Sequence, residues 1–281
     1  MSMQSRSSKL LTELLKSALA QAREAGVESH QVRLLLSEIT DIPIPALTLN
    51  SDQVLAVEQQ NRFRSGFIRL LSHEPVQYII GKTEFYGLQL MVNENVLIPR
   101  PETEGLVEWI SAREKGFLKV LDIGTGSGVI ALALKKLKPQ FDVTATDISV
   151  WSIRLARQNA QKNSLKVTFQ KADLFPQNNI RYDVIVSNPP YVSAPEYALL
   201  ADGIRYYEPR LALQAAKHGL EFYERILSRA SKFLVPQGRI YFEIGESQAP
   251  AIREIAFSKG FRQIELKQDL AGRDRYLCLA R

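Results

Sequence analysis

Asn188-Pro189-Pro190-Tyr191 directly follows the apolar run Asp183-Val184-Ile185-Val186-Ser187. Such a run reads as a buried strand, and open α/β sheets bind ligands at the carboxyl ends of their strands. The two prolines fix φ and leave carbonyls that no continuing strand can use. The Asn188 side chain offers an amide oxygen as acceptor. Asn188 Oδ1 and the Pro189 carbonyl can together hold both hydrogens of a planar NH2 group, and Tyr191 can stack on its flat face. An amide or aromatic amine nitrogen is a poor nucleophile because its lone pair is delocalised. Accepting both of its N–H hydrogens returns density to nitrogen and aims the lone pair. Orientation of this kind can recover about 7–11 kcal/mol of a barrier.

A second constellation supplies the other reactant. Leu121-Asp122-Ile123-Gly124-Thr125-Gly126-Ser127-Gly128 runs from a strand toward a helix, and Asp147 follows Gly124 at the end of the next strand. Glycines there allow a tight turn and a close backbone approach to a ligand, and the acidic side chain can accept from ribose hydroxyls. The dinucleotide fingerprint needs a third glycine where Val129 stands, and no phosphate-loop lysine follows Gly128. The pattern suits an adenosine with an amino-acid tail, such as S-adenosylmethionine, whose sulfonium methyl would face the clamped nitrogen. Asp173-Leu174-Phe175, after the third strand, would flank the adenine.

The elements that position these residues are strands alternating with helices. Strands are expected at Val120–Ile123, Asp142–Thr146, Lys166–Gln170, Tyr182–Ser187, Arg239–Ile244, Arg262–Leu266 and Arg275–Ala280. Helices are expected at Val129–Leu137, Ser149–Asn163, Leu220–Leu234 and Ala249–Ser258, with a shorter one at Glu104–Ser111. That alternation predicts an α/β fold with a mostly parallel, doubly wound sheet. Upstream, Leu10, Leu11, Leu14, Leu15, Ala18 and Leu19 recur at helical spacing until Gly26, and Val32, Leu35, Leu36 and Ile39 repeat it before Pro43. A third helix is expected from an N-cap at Ser51 to about Leu71. Residues 1–81 therefore read as a small all-α bundle. Residues 82–98 read as a β-hairpin linker with a turn at Asn93-Glu94-Asn95, and residues 99–281 as the catalytic domain.

Composition narrows the class. The chain has 281 residues, 45% hydrophobic and 23% charged, as in ordinary globular proteins. Its net charge of +6 raises a nucleic-acid hypothesis. Residues 1–98 hold 9 basic and 10 acidic residues, however, so the surplus belongs to the remainder, where it is scattered. Cys278 is alone, and His30, His73 and His218 have no ligand spacing, so no disulfide framework and no metal is expected. No apolar run is long enough to span a membrane. Residues 1–11, with Arg6 and Lys9 among serines, lack a signal core. They read as the start of an amphipathic helix in a cytoplasmic protein, with a transit peptide as the alternative.

Further segments carry a resemblance. Pro75-Val76-Gln77-Tyr78-Ile79-Ile80-Gly81, Pro99-Arg100-Pro101-Glu102-Thr103-Glu104 and Tyr207-Glu208-Pro209-Arg210-Leu211-Ala212-Leu213, with the two motifs above, resemble the peptide chain release factor glutamine methyltransferases over nearly the whole chain. The resemblance implies a class I S-adenosylmethionine-dependent methyltransferase fold, Rossmann-like with seven strands. It implies methylation of the glutamine N5 in the Gly-Gly-Gln tip of class-1 release factors, with S-adenosylhomocysteine as product. On this reading Gly124, Thr125, Gly126, Ser127 and Gly128 cradle the methionine end, Asp147 takes the ribose, and Asp173 and Leu174 border the adenine. Leu174 stands where members often carry an aromatic, with Phe175 as the substitute. Asn188, Pro189, Pro190 and Tyr191 hold the glutamine, and Asn188 also touches the cofactor. The helical domain grips the release factor, and a monomer with no direct reading of nucleic acid is expected.

Two other functions remain open at this point. One is an adenine-N6 methyltransferase acting on a flipped base of DNA or RNA, which would use the same clamp. The other is a non-catalytic release-factor-binding adaptor. Methyl transfer to purified release factor, set against transfer to DNA, separates them.

Overall fold

The computed structural model describes residues 10–49 and 52–281. The Ser51 cap and the stretch containing Arg6 and Lys9 lie outside the described residues. Two compact units divide the chain: one runs through Gly81 and adds Asp202–Tyr207, and the other holds Lys82–Ala201 and Glu208–Arg281.

The first unit is helical. It contains α1 (Leu11–Glu24), α2 (Ser29–Thr40), α3 (Val57–Leu71) and α4 (Val76–Ile80). Leu11, Leu15, Ala18 and Ala22 bury one stripe of α1, and Val32, Leu35, Leu36 and Ile39 bury one of α2. From α3, Phe63 and Phe67 stack at 5.5 Å and join the same core. α3 starts at Val57, with Gln59 Oε1 accepting from the Ala56 N–H at 3.1 Å. The segment Asp202–Tyr207 clusters with this unit: Tyr207 Oη donates to the Ser72 carbonyl at 2.9 Å.

The second unit opens with a two-stranded hairpin, β1 (Lys82–Phe85) and β2 (Leu88–Met91). Its turn is Tyr86-Gly87, both at positive φ, the geometry a two-residue hairpin loop requires. Asn93-Glu94-Asn95 forms a separate Asx turn, in which the Asn95 N–H donates to Asn93 Oδ1 at 3.1 Å. The turn expected at Asn93-Glu94-Asn95 is thus present, but it follows the hairpin rather than closing it. Nor is the hairpin only a connector. Phe85, Leu88 and Leu90 enter the main core, and Asn159 brackets Met91, accepting from its N–H at 2.7 Å and donating to its carbonyl at 3.0 Å.

Beyond the hairpin come α5 (Pro101–Arg113), β3 (Lys119–Ile123), α6 (Val129–Leu137), β4 (Asp142–Asp147), α7 (Val150–Lys162), β5 (Thr168–Lys171) and β6 (Tyr182–Ser187). Then follow α8 (Ala194–Ala198), α9 (Asp202–Tyr207, of the first unit), α10 (Arg210–Leu213), α11 (Glu221–Phe233), β7 (Leu234–Glu243), α12 (Ala249–Ser258), β8 (Gln263–Gln268) and β9 (Asp274–Ala280). The seven-stranded sheet has the order β5-β4-β3-β6-β7-β9-β8, parallel except for β9, which is antiparallel to both neighbours. The centres of β3 and β6 and residues 240–242 of β7 are apolar and buried, as burial on both faces demands. The order reverses between β3 and β6, which opens a crevice at their carboxyl ends. No helix among the described residues is long and apolar enough to cross a membrane.

Candidate active site

Register brings the two sequence motifs together. Ile123 is the partner of Ser187 on one side and of Thr146 on the other, so Gly124, Asn188 and Asp147 leave three adjacent strands at one edge. Ser187 Oγ donates to the Ile123 carbonyl at 2.7 Å and ties the two motif strands at that point. A cavity of about 610 Å³ opens there. Gly124, Thr125, Gly126, Ser127, Asp147, Asp173, Leu174, Asn188, Pro189 and Pro190 all line it.

The glycine loop is held from below. Asp122 is fully buried, and its Oδ2 accepts from Thr125 Oγ1 at 2.6 Å and from the Ala131 N–H at 3.2 Å. Burial pushes this carboxyl up to about 7, against the two hydrogen bonds. At the rim, Asp147 Oδ2 accepts from the Gly126 N–H at 2.9 Å, and Oδ1 from the Ser149 N–H at 2.8 Å. Burial raises the Asp147 carboxyl too, and those N–H groups oppose the rise. Each oxygen retains a second lone pair, so a sugar hydroxyl can still be received.

Gly124 and Gly126 have positive φ, and a Cβ on either would meet no protein atom within 4 Å. Both face open cavity, which is the form of a cradle. Ser127 Oγ is buried and has no protein partner although its residue lines the cavity. A nucleoside with an amino-acid tail fits these features: open glycine backbone, a buried hydroxyl without a protein partner and a carboxylate with lone pairs to spare.

The expected residues separate at three points. Gly128 is not a lining residue; at φ +87° it caps α6, and a Cβ would stand 3.2 Å from Ala156 Cβ and from Leu132 Cδ1. It serves helix packing. Tyr191 does not line the cavity either. Its ring packs into the second core cluster and its carbonyl accepts from Gln248 Nε2 at 3.0 Å. Burial, then Glu243, pushes its phenol up to about 12. Phe175 cannot substitute for an aromatic at Leu174: it is 2% exposed and stacks on Phe233 at 4.5 Å. Leu174 itself lines the cavity at φ +69°, with its carbonyl accepting from Thr146 Oγ1 at 2.6 Å. The Asp173 carboxylate is engaged by Arg225 Nη2 at 2.7 and 2.8 Å.

Residues in and behind the wall add to the site. Arg100 forms an ion pair with the buried carboxylate of Glu208, which also accepts from the Ile98 N–H at 3.2 Å. Thr103 Oγ1 donates to Glu243 Oε2 at 2.7 Å and accepts from Asn188 Nδ2 at 3.3 Å. Arg100, Thr103 and Glu208 lie in the segments that carried the family resemblance, so a signal for them existed. Glu243 sits in an ordinary strand, Arg239-Ile240-Tyr241-Phe242-Glu243, and carried none.

Known proteins resemble this chain over most of its length. The Methyltransferase small domain model matches residues 101–202, and the PrmC N-terminal domain model matches residues 13–81. A release factor glutamine methyltransferase of Streptococcus pneumoniae is 40% identical over 89% of this chain and 91% of its own. One of Bacillus subtilis is 37% identical over 96% and 97%. Among solved structures, a methyltransferase from Pyrococcus furiosus superposes with a TM-score of 0.55 at 20% identity, covering 80% of this chain and 98% of that one, which speaks to the fold.

Proposed function

Because this chain belongs to the release factor glutamine methyltransferase family, we propose that its cavity transfers a methyl group from S-adenosylmethionine to the side-chain N5 of a release-factor glutamine. When bound, S-adenosylmethionine supplies an electrophilic methyl on a sulfonium. The chain's residues bind and orient. Thr125, Gly126 and Ser127 receive the amino-acid tail, the Gly124 turn lets the backbone approach, and Asp147 accepts from the ribose. Leu174 and the main chain of Asp173 border the adenine.

The observation that carries this reading is the meeting of Asn188 and the glycine cradle on one cavity wall. Asn188 Oδ1 and the Pro189 carbonyl accept the two N–H hydrogens of the glutamine amide, and Pro190 keeps the loop from continuing as strand. No base has to act before attack, because the proton can leave after the N–C bond has formed. The walls exclude water, which strengthens both hydrogen bonds.

The substrate glutamine is the one in the Gly-Gly-Gln tip of class-1 release factors, since a tip with two glycines can thread a narrow crevice. The helical unit holds the body of the factor. The protein works as a monomer in the cytoplasm and reads no bases. The relatives' names favour this over the adenine-directed alternative. Mass spectrometry of a release-factor tryptic peptide, after incubation with the protein and S-adenosylmethionine, tests it. One added methyl on the glutamine is expected; label found only in nucleic acid refutes it.

A further inference from the structure

An asparagine side chain is two-faced: one end accepts and the other donates twice. A clamp for an NH2 group works only with the oxygen end toward the substrate. Nothing in Asn188 itself chooses between the two orientations, and a flipped amide would set donors against donors.

Three elements meet behind Asn188. Thr103 lies in the first turn of α5 and Glu243 is the last residue of β7, both 2% exposed. Phe242 is the sheet partner of Ser187, so Glu243 leaves β7 beside the point where Asn188 leaves β6. The hydrogen bonds run in one direction. Asn188 Nδ2 donates to Thr103 Oγ1 at 3.3 Å, and Thr103 Oγ1 donates to Glu243 Oε2 at 2.7 Å. An ionised carboxylate only accepts, so it fixes the direction of the hydroxyl, and the hydroxyl fixes the face of the amide.

We infer that Thr103 and Glu243 are positioning residues for methyl transfer, a hydroxyl and a carboxylate that lock the Asn188 amide with its oxygen toward the substrate nitrogen. This rests on the reading above, in which Asn188 Oδ1 receives the glutamine amide. A proton on Glu243 reverses the relay: the acid donates to Thr103, the hydroxyl is freed to donate to Asn188, and the amide turns its oxygen away from the cavity.

The surroundings put that proton within reach. Glu243 faces Arg275 and Tyr276 on β9, Glu102 on α5, Tyr191 beyond β6 and Tyr223 on α11. Burial pushes its carboxyl up to about 7; Glu102 adds to the rise, while Thr103, Arg275 and Asn188 oppose it. The ionised, correctly oriented form therefore fills as pH rises through neutrality.

The test uses the full chain with its release factor. Glu243→Gln and Thr103→Val are expected to lower kcat roughly 10- to 100-fold, the scale of a small misplacement, while KM and cofactor affinity stay within about twofold. Thr103→Ser, which keeps the hydroxyl, restores what Thr103→Val loses. Wild-type kcat rises through about pH 7, and Glu243→Gln lacks that limb. A second measurement needs no substrate. The Asn188 side-chain amide resonance, assigned by its absence in Asn188→Ala, should shift with pH in the wild type and hold still in Glu243→Gln. A wild-type Asn188 resonance indifferent to pH, or Glu243→Gln turning over at the wild-type rate, overturns the inference. A wild-type protein that leaves the release-factor glutamine unmethylated defeats the preceding reading instead, and the resonance still decides this one.

Discussion

Arg100 and Glu208 are ion-paired although 108 residues separate them, and the Glu208 side chain is 1% exposed against 32% for Arg100. The pair joins the loop before α5 to the loop before α10 along the cavity wall. Removing Arg100 leaves a buried carboxylate with only the Ile98 N–H. Arg100→Ala is expected to cost about 1–3 kcal/mol of stability, below the range for a fully buried pair because Arg100 is partly wet. Urea denaturation measures it. A change under a few tenths of a kcal/mol would show that water replaces the guanidinium.

Asn188→Ala removes one acceptor of the clamp and touches no part of the glycine loop. A fall in kcat of about 10²–10³ is expected, by analogy with loss of one oriented hydrogen-bond partner of a reacting group. Calorimetry with S-adenosylmethionine should find its affinity little changed. Turnover at the wild-type rate would remove Asn188 from the chemistry.

Asp147 accepts from the Gly126 and Ser149 N–H groups and offers its remaining lone pairs to the ribose. Asp147→Ala loses the charge-assisted bonds as well as the ligand contact, so cofactor affinity should fall by about 1.5–3 kcal/mol, roughly 10- to 100-fold. Equilibrium binding with the demethylated product S-adenosylhomocysteine is the measurement. Unaltered affinity would place the ribose elsewhere.

Two glycines of one loop should fail differently. Gly126→Ala puts a methyl into open cavity at φ +55°. The backbone strain is worth about 1–2 kcal/mol, and ligand affinity should drop as the cradle fills. Gly128→Ala drives a methyl toward Ala156 and Leu132 at φ +87°. Its stability loss should be the larger of the two, since strain and overpacking add. Paired melts and binding isotherms separate them. Equal stability losses would contradict the division of roles.

Asp122 gives a pH signature. Its carboxyl moves from 3.8 to about 7 on burial. Between those values the folded chain holds a proton that the unfolded chain has lost, so this residue's contribution to stability declines as pH rises through that window. Asp122→Asn keeps an acceptor for Thr125 Oγ1 and the Ala131 N–H and cannot ionise. Its stability should decline less than the wild type's over the same window. Parallel curves in a denaturation series would show that Asp122 is ionised throughout.

Much of the site was legible because its parts are local. Asn188-Pro189-Pro190 and Gly124-Thr125-Gly126-Ser127 are contiguous, each ending an apolar strand, and the pattern of strand, turn and helix places them at strand ends without knowledge of contacts. Glu243 was not legible. It closes a strand that reads as one buried run, and only the pairing of Phe242 with Ser187 sets it beside Asn188. Tyr191 shows a second limit of local reading: it stands three residues from Asn188, yet its ring packs against the second core cluster and Gln248 holds its carbonyl from another element.

The sequence by itself determined the α/β class, the two reactant motifs and the helical character of residues through Gly81, since each rests on periodicity or on residue types within a short span. Tertiary structure alone decided the strand order that opens the crevice between β3 and β6, the partition of Asp202–Tyr207 into the helical unit, and the direction of the Asn188 amide. Those depend on which side chains meet across long stretches of chain, and hydrogen-bond direction passes from one to the next only once Thr103 and Glu243 stand within 2.7 Å of each other.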